Sequence, residues 1–330
     1  NLAQISTNGM KQLLSAPASN QTFGLQAMTE EIHATFQIES IHSSRNSIRH
    51  ILNGYAPRNE EESRIYGMKR GLDFIADRQN TITEENLHQL YQISTGDYLP
   101  DEDRLLPDRF YRHDVVYVVG GEASREGLPA QQLPEAMKRL VDFANAKDGI
   151  NELHKAAILH FAFAYYHPYF DGNGRTARLL HLWYLVQQGY PAALFTPFSR
   201  YIAESKAAYY KAYDRVEKNA LISGYTDVTP FLSYFCNEVY NRLQVDVTPP
   251  QADLQIYQAA LSEGKITEKE RLLWEYVLSA YGAEEFTTKQ LEKDFRNAAY
   301  ATIRTFVMKF HEMGLLMARK AGNRIFYKVN

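Results

Sequence analysis

Apolar residues recur at helical spacing along most of the chain and shift to strand-like runs in only two places. In "TEEIHATFQIESI", Ile32, Phe36 and Ile41 fall at roughly helical intervals, while Thr35 and Glu39 sit four apart on one face. "EESRIYGMKRGLDFI" and "TEENLHQLYQIST" read as further amphipathic helices, the second with Thr83 placed as its N-cap. "RFYRHDVVYVVGGEA" breaks that rhythm: the β-branched and aromatic run Val115 to Val119 ends in Gly120-Gly121 and predicts a short hairpin. Helices resume at Pro134, through "PEAMKRLVDFANA" and "NELHKAAILHFAFAYYH", and again in "RTARLLHLWYLVQQG", which Gly189 and Pro191 close.

Beyond Val247 the pattern changes again. "VTPPQADLQIY", with Pro249-Pro250, reads as a linker. Residues 267–330 then give three helices and two short strands turning at Gly322-Asn323, the order of a winged helix-turn-helix. The expected fold is therefore mainly α with a small hairpin. The expected units are a helical region over 1–100, a core over 101–246, a linker over 247–266 and a winged helix over 267–330. There is no internal repeat and no low-complexity segment.

Composition narrows the class without naming it. The 330 residues are 45% hydrophobic and 23% charged, values of a soluble globular protein, and suffice for two or three domains. The net charge of −3 carries no global sign of nucleic-acid binding. The single cysteine, Cys236, excludes internal disulfides and cysteine-rich zinc sites and reads as a small core residue. No run of 18 apolar residues offers a membrane span, and the N-terminal stretch lacks the basic start and apolar centre of a signal peptide, so the expected location is the cytoplasm. The chain begins without methionine, and its true start is left open. Histidines other than His167 lack metal-ligand spacing with cysteines or carboxylates.

One loop holds a mixture that no packing rule requires: "HPYFDGNGRTAR", His167 to Arg178. His167 precedes a proline and so must leave the α region, which ends the apolar helix before it. The next helix starts just after Asp171, so its unpaired N–H groups and positive dipole end favour an anion. Gly172 and Gly174 permit close approach of the backbone. Arg175 and Arg178, three apart, share a face and suit a polyphosphate. Asp171 is a hard oxygen ligand suited to Mg²⁺ bridging phosphates, and a neutral His167 suits a general base.

This loop resembles the active-site motif of Fic-domain proteins, His-Pro-(aromatic)-x-(Asp/Glu)-Gly-Asn-Gly-Arg-x-x-Arg, and matches it at every specified position. The likeness extends to "RHDVVYVVGG", similar to the family's flap hairpin, and to "ESKAAYYKAYDRV", similar to the helix after the motif; together they cover roughly Glu30 to Val216. The resemblance implies transfer of AMP from ATP, with Mg²⁺, to a Tyr, Thr or Ser hydroxyl of a protein. His167 would be the base and Asp171 the metal ligand. Asn173 and the backbone of Gly172 and Gly174 would stabilise the α-phosphate, and Arg175 and Arg178 would bind the β- and γ-phosphates. Val119, Gly120 and Gly121 would dock the target segment. Tyr209 and Tyr210 would flank adenine, although Glu217 stands where Asn is frequent. Gly174, where kinase-like relatives carry lysine, favours nucleotidyl over phosphoryl transfer.

"TFQIES", Thr35 to Ser40, resembles the family's inhibitory motif, with Ser40 in place of Gly or Asn. That likeness implies an inhibitory helix over about 29–41 in which Glu39 pairs with Arg178 and displaces the γ-phosphate. Two further readings accompany AMP transfer: removal of AMP from a modified protein with help from Glu39, and a winged-helix DNA-binding regulator whose Fic loop senses nucleotide. From Arg296 onward Arg304, Lys309, Arg319, Lys320, Arg324 and Lys328 join it against Glu312 alone, a local basic bias. The helix containing Arg304 offers few groups for reading bases, so protein docking or intramolecular packing is preferred to DNA. The expected partners are a protein substrate, the chain itself through self-modification, and a second copy.

Overall fold

The computed structural model describes residues 24–118, 125–246, 251–281 and 285–330. Helices α1 (Gly24–Ile38), α2 (Arg45–Leu52), α3 (Glu60–Ala76) and α4 (Glu84–Ser94) come first. A hairpin of β1 (Tyr117–Val118) and β2 (Arg125–Glu126) follows, and then α5 (Leu133–Asn145), α6 (Glu152–Tyr166) and α7 (Asn173–Gln187). Next come α8 (Phe198–Glu204), α9 (Lys206–Ser223), α10 (Thr229–Tyr234), a π-helical turn (Phe235–Tyr240) and α11 (Asn241–Asp246). The chain ends with α12 (Gln251–Ser262), α13 (Glu268–Ala280), α14 (Thr288–Phe295), α15 (Tyr300–Glu312) and the hairpin β3 (Leu316–Ala321) with β4 (Arg324–Val329).

Capping chemistry fixes several of these starts. Asn59, Thr83 and Thr287 each accept a backbone N–H three residues on, and Thr267 forms a full capping box with Glu270. α7 differs from the surface helices in being buried on every side from Arg175 to Val186. It packs along α6 and touches α1, α3 and α4, which makes it the axis of a core reaching from Ile32 to Leu243. A second, separate core runs from Ala260 to Tyr327 around Trp274, Phe306 and Phe310. β3 and β4 pair antiparallel from Leu316↔Val329 to Ala321↔Arg324, and Phe286 bridges to Tyr327 at their edge.

One expectation needs correction. The 247–266 stretch is helical over Gln251–Ser262, because "QADLQIYQAALS" has good helix formers once the prolines are passed; Pro249 and Pro250 lie outside the described residues. The short hairpin expected in the Val115–Val119 run is present, with Tyr117↔Glu126 and Val118↔Arg125 paired among the described residues. Val115 and Tyr117 are 56% and 63% exposed, so its described part lies at the surface. Val119, Gly120 and Gly121 lie outside the described residues.

α1 does not float over the core. Its C-terminal unit neighbour α13 packs against it, the Arg49 guanidinium on α2 lies 5.3 Å from the Tyr281 ring, and Arg296 covers the Tyr55 ring. The end of α1 is a Schellman turn: Ile41 N–H reaches Phe36 O at 2.9 Å, Ser40 N–H reaches Gln37 O at 3.1 Å, and Ser40 takes φ of 59°. The left-handed residue falls where Gly or Asn would be at ease, so Ser40 carries local strain. Ser40→Gly should raise unfolding free energy by about 0.5–1 kcal/mol, the strain relief less the added chain entropy of glycine. Urea denaturation followed by circular dichroism checks this; an unchanged or lowered midpoint contradicts it.

Candidate active site

The site begins where α6 stops. His167 closes α6 in the left-handed region, φ 55° and ψ 61°, with its N–H still bonded to Phe163 O at 3.1 Å. Pro168 then turns the chain inward, and Tyr169, fully buried, stacks on Tyr91 with ring centres 3.6 Å apart. Asn173 fastens the loop from inside: its Oδ1 accepts Tyr169 N–H at 2.9 Å and its Nδ2 donates to Tyr169 O at 2.8 Å. One N–H of its amide and its carbonyl oxygen thereby fasten the loop to the main chain.

Gly172 caps α7 with φ of 78°, and a Cβ there would lie 2.3 Å from Thr95 Cγ2, so both conformation and space demand glycine. A Cβ on Gly174 would lie 2.6 Å from Glu39 Oε1. The N–H groups of Asn173, Gly174 and Arg175 precede the first intrahelical bond, Thr176 N–H to Gly172 O, and form the donor end of a buried helix.

Arg175 and Arg178 stand just inside that end, each with a side chain only 3% exposed. Glu39 bridges them, accepting Arg175 Nε at 2.7 Å on Oε2 and the Arg178 guanidinium on Oε1. The expected partner was Arg178 alone; the carboxylate in fact holds both cations. Arg178 also donates to Thr35 Oγ1 at 2.5 Å and to Thr35 O at 3.2 Å. One turn earlier on α1, buried Glu31 accepts Ser199 N–H at 2.8 Å and the Ser199 hydroxyl. Burial pushes the Glu31 carboxyl above the ordinary carboxylate range. Glu31, Thr35 and Glu39 therefore form one polar stripe at four-residue spacing along α1 and the turn that ends it. Glu31 is the member of that stripe that lies outside the motif Thr35 to Ser40.

These groups border a cavity of about 720 Å³ that His167, Asp171, Gly174, Arg178, Tyr210 and Glu217 help to line. Its long wall is one face of α9, from Lys206 to Glu217, about 16 Å at the helical rise, a length that suits a nucleoside triphosphate. Tyr210 is half-buried against the cavity. Tyr209 is a core residue at 4% exposure, its hydroxyl 2.8 Å from His160 Nε2. His160 and His181 are buried, the second bonded to the Tyr240 hydroxyl at 2.8 Å, and Cys236 is buried with its thiol pushed up to about 11.

Asp171 is half exposed at the mouth. Its Oδ1 accepts Gly172 N–H at 2.6 Å and its Oδ2 accepts Arg175 at 3.0 Å. Among the described residues no three metal-ligating side chains gather. That donor set fits Mg²⁺, which takes one or two carboxylates and completes its shell with phosphate and water.

Arg112 is the residue that pattern reading missed. Its guanidinium is buried and lies on three carbonyls: His167 O at 2.8 Å, Asp114 O and Leu128 O. Its own N–H reaches Pro168 O at 2.9 Å. Both flanks of the hairpin and the catalytic loop are thereby tied to one side chain. No periodicity marks such an arginine, since backbone carbonyls leave no trace in sequence.

Burial under this arrangement lowers His167 to about 4, with Arg125 and Arg112 adding to the effect against the pull of Ala164 O and Asp171.

The comparisons agree with this construction. A model of the Fic/DOC family matches residues 81–185, which include α6, the loop and most of α7. Protein adenylyltransferase fic-1 of Caenorhabditis elegans is 31% identical over 181 residues, 53% of this chain and 31% of its own length. Protein adenylyltransferase Fic of Drosophila willistoni is 29% identical over 140 residues, 41% of this chain and 26% of its own length. The chain thus spans less than a third of these curated relatives. A Fic family protein of Desulfovibrio desulfuricans G20 shares the fold over the whole of this chain and 97% of its own, with a TM-score of 0.61 at 16% identity. A fragment of Caenorhabditis elegans Fic-1 does so over 74% and 72%, with a TM-score of 0.54 at 20% identity. The mainly helical fold is the one these Fic-family structures share, and residues 81–185 match the Fic/DOC family model.

Proposed function

We propose that this chain transfers AMP from ATP to a hydroxyl side chain of a protein, and that Glu39 restrains the reaction. One observation carries the reading: a carboxylate occupies two buried arginines at a helix N-terminus, in a cavity shared with a histidine depressed to about 4. Buried cations at the donor end of a helix suit a polyphosphate, and Glu39 competes for the same guanidiniums.

His167 serves as the base. Its Nδ1–H donates to Ala164 O at 3.3 Å, leaving the Nε2 lone pair for the acceptor proton. The acceptor oxygen bonds to the α-phosphorus, the bond from that phosphorus to the bridging oxygen of the β-phosphate breaks, and pyrophosphate leaves with both electrons. The proton passes to His167 Nε2. Arg175 and Arg178 hold the leaving phosphates, and the N–H groups opening α7 stabilise the charge that develops on the α-phosphate. Asp171 would hold Mg²⁺, which supplies charge neutralisation across the phosphates.

The C-terminal unit fits a winged helix that docks protein. Lys309 pairs with Glu270 at 2.8 Å, Arg319 pairs with Glu285, and Arg296 lies on Tyr55, so three of the seven basic residues are engaged within the chain. This argues against the DNA-binding regulator. Removal of AMP is the second reading, favoured by Glu39 and His167 bordering one cavity.

Two measurements test these assignments. After incubation with MgATP, intact-mass spectrometry should find one or more AMP additions on Glu39→Gly, at least 10-fold fewer on the wild type, and none on Glu39→Gly with His167→Ala. Absence of AMP on Glu39→Gly, with an AMP-modified protein losing AMP only to the wild type, would replace transfer by removal. The His167 ring should titrate near 4 by NMR, assigned by difference from His167→Gln; a midpoint at or above 6 contradicts the buried, neutral base. The sign for stability follows. His160, His167 and His181 are all lowered by burial, so the folded state prefers them neutral. Their contribution is complete above about 6.5 and is lost as pH falls toward 4.

A further inference from the structure

In the hairpin that borders the cavity, two residue pairs are laddered among the described residues, and one side chain on it is anchored firmly. Arg125, on β2, pairs with Glu217 on α9 at 2.6 Å, with both side chains largely withdrawn from water at 19% and 24% exposure. The guanidinium lies flat against Tyr165 of α6, 4.3 Å from the ring centre, and reaches Ala164 O at 3.4 Å. Val118, Arg125, Ala164, His167 and Glu217 border the same cavity. A second tie, Arg112, fixes the flanks of the hairpin through carbonyls, as Gly127 N–H to Val116 O at 2.9 Å and Leu128 N–H to Tyr166 O at 3.1 Å also do. Those contacts fix where the hairpin is rooted. Among the described residues, the Arg125 side chain joins the ladder to the wall along which a nucleotide would lie.

We propose that Arg125 and Glu217 are positioning residues for the acceptor: their ion pair ties β2 to α9 and sets the width of the gap between the hairpin and His167. The inference rests on the proposed AMP transfer and adds to it the element that places the hydroxyl. An extended segment of a target protein, added beside the hairpin, would bring its side chain into that gap. A gap one or two ångströms too wide would leave the oxygen out of reach of both His167 Nε2 and the α-phosphorus. Glu217, where an amide is frequent among similar motifs, is then explained by its partner across the cavity.

The test uses the full chain in the Glu39→Gly background. Arg125→Glu and Glu217→Arg each place like charges together, and the double variant restores the pair with exchanged signs. Each single reversal should lower AMP transfer at least 10-fold and by more than it weakens MgATP binding, and the double variant should recover most of the loss. Hydrogen exchange at the amides of Gly127 and Leu128 should speed up in the single variants and return in the double one. Unchanged exchange in the single variants overturns the tie whatever the activity. Faster exchange with undiminished transfer, or a fall in MgATP affinity as large as the fall in transfer, overturns the positioning role. Glu39→Gly without AMP transfer would sink the proposed activity, and exchange alone would then decide the tie.

Discussion

Everything at this site depends on two arginines that cannot be left alone. Arg175 and Arg178 are both buried at the first turn of a helix that is itself the axis of the core. A guanidinium does not deprotonate in a protein, and an unpaired buried charge costs several kcal/mol, roughly 3–5 when a partner is removed. An anion must therefore occupy the space above Gly174. Glu39 fills it here, and Gly174 lacks a side chain at the one point where a Cβ would collide with the Glu39 oxygen. The same electrostatic requirement is one that phosphate oxygens are chemically able to meet.

How firmly Glu39 holds depends on α1, and the helix is pinned with uneven strength. Glu31 on Ser199 and Thr35 on Arg178 secure its middle, while Phe36 and Ile32 are buried in the core. Its end is weaker, since the turn that presents Glu39 places a serine in the left-handed region. The C-terminal unit rests on the same pair of helices, through α13 on α1 and through Arg49 with Tyr281 on α2. The C-terminal unit thus contacts α1 and α2 directly.

The sequence made the loop legible because its chemistry is local. His167, Asp171, Gly172, Gly174 and the two arginines lie within twelve positions, and helix geometry alone brings the last four together. The helix start at Thr83 was equally open to reading, since capping needs only three residues. What escaped was a contact with distant backbone: Arg112 binds the His167 carbonyl 55 residues away. The Asn173 amide also closes on the backbone of Tyr169, a contact that spacing alone does not display. The excess of basic residues after Arg296 looked like a phosphate-binding surface because Glu270 and Glu285, their partners, stand upstream of it. Tyr209 and Tyr210 both border the cavity, but 100° of helical rotation leaves Tyr209 buried with its hydroxyl on His160 and Tyr210 half-buried.

The buried arginines themselves separate the fixed parts of the site from the replaceable one. Arg112 is satisfied by carbonyl oxygens of the main chain, which cannot leave without unfolding the loop, so the hairpin roots and His167 hold a constant relation. Arg175 and Arg178 are satisfied chiefly by one carboxylate, presented by the turn that ends α1. A charge neutralised by its own backbone is architecture; one neutralised by a side chain from elsewhere can exchange its partner for a ligand. The Arg175 and Arg178 end of this cavity is built from the second kind and the His167 end from the first.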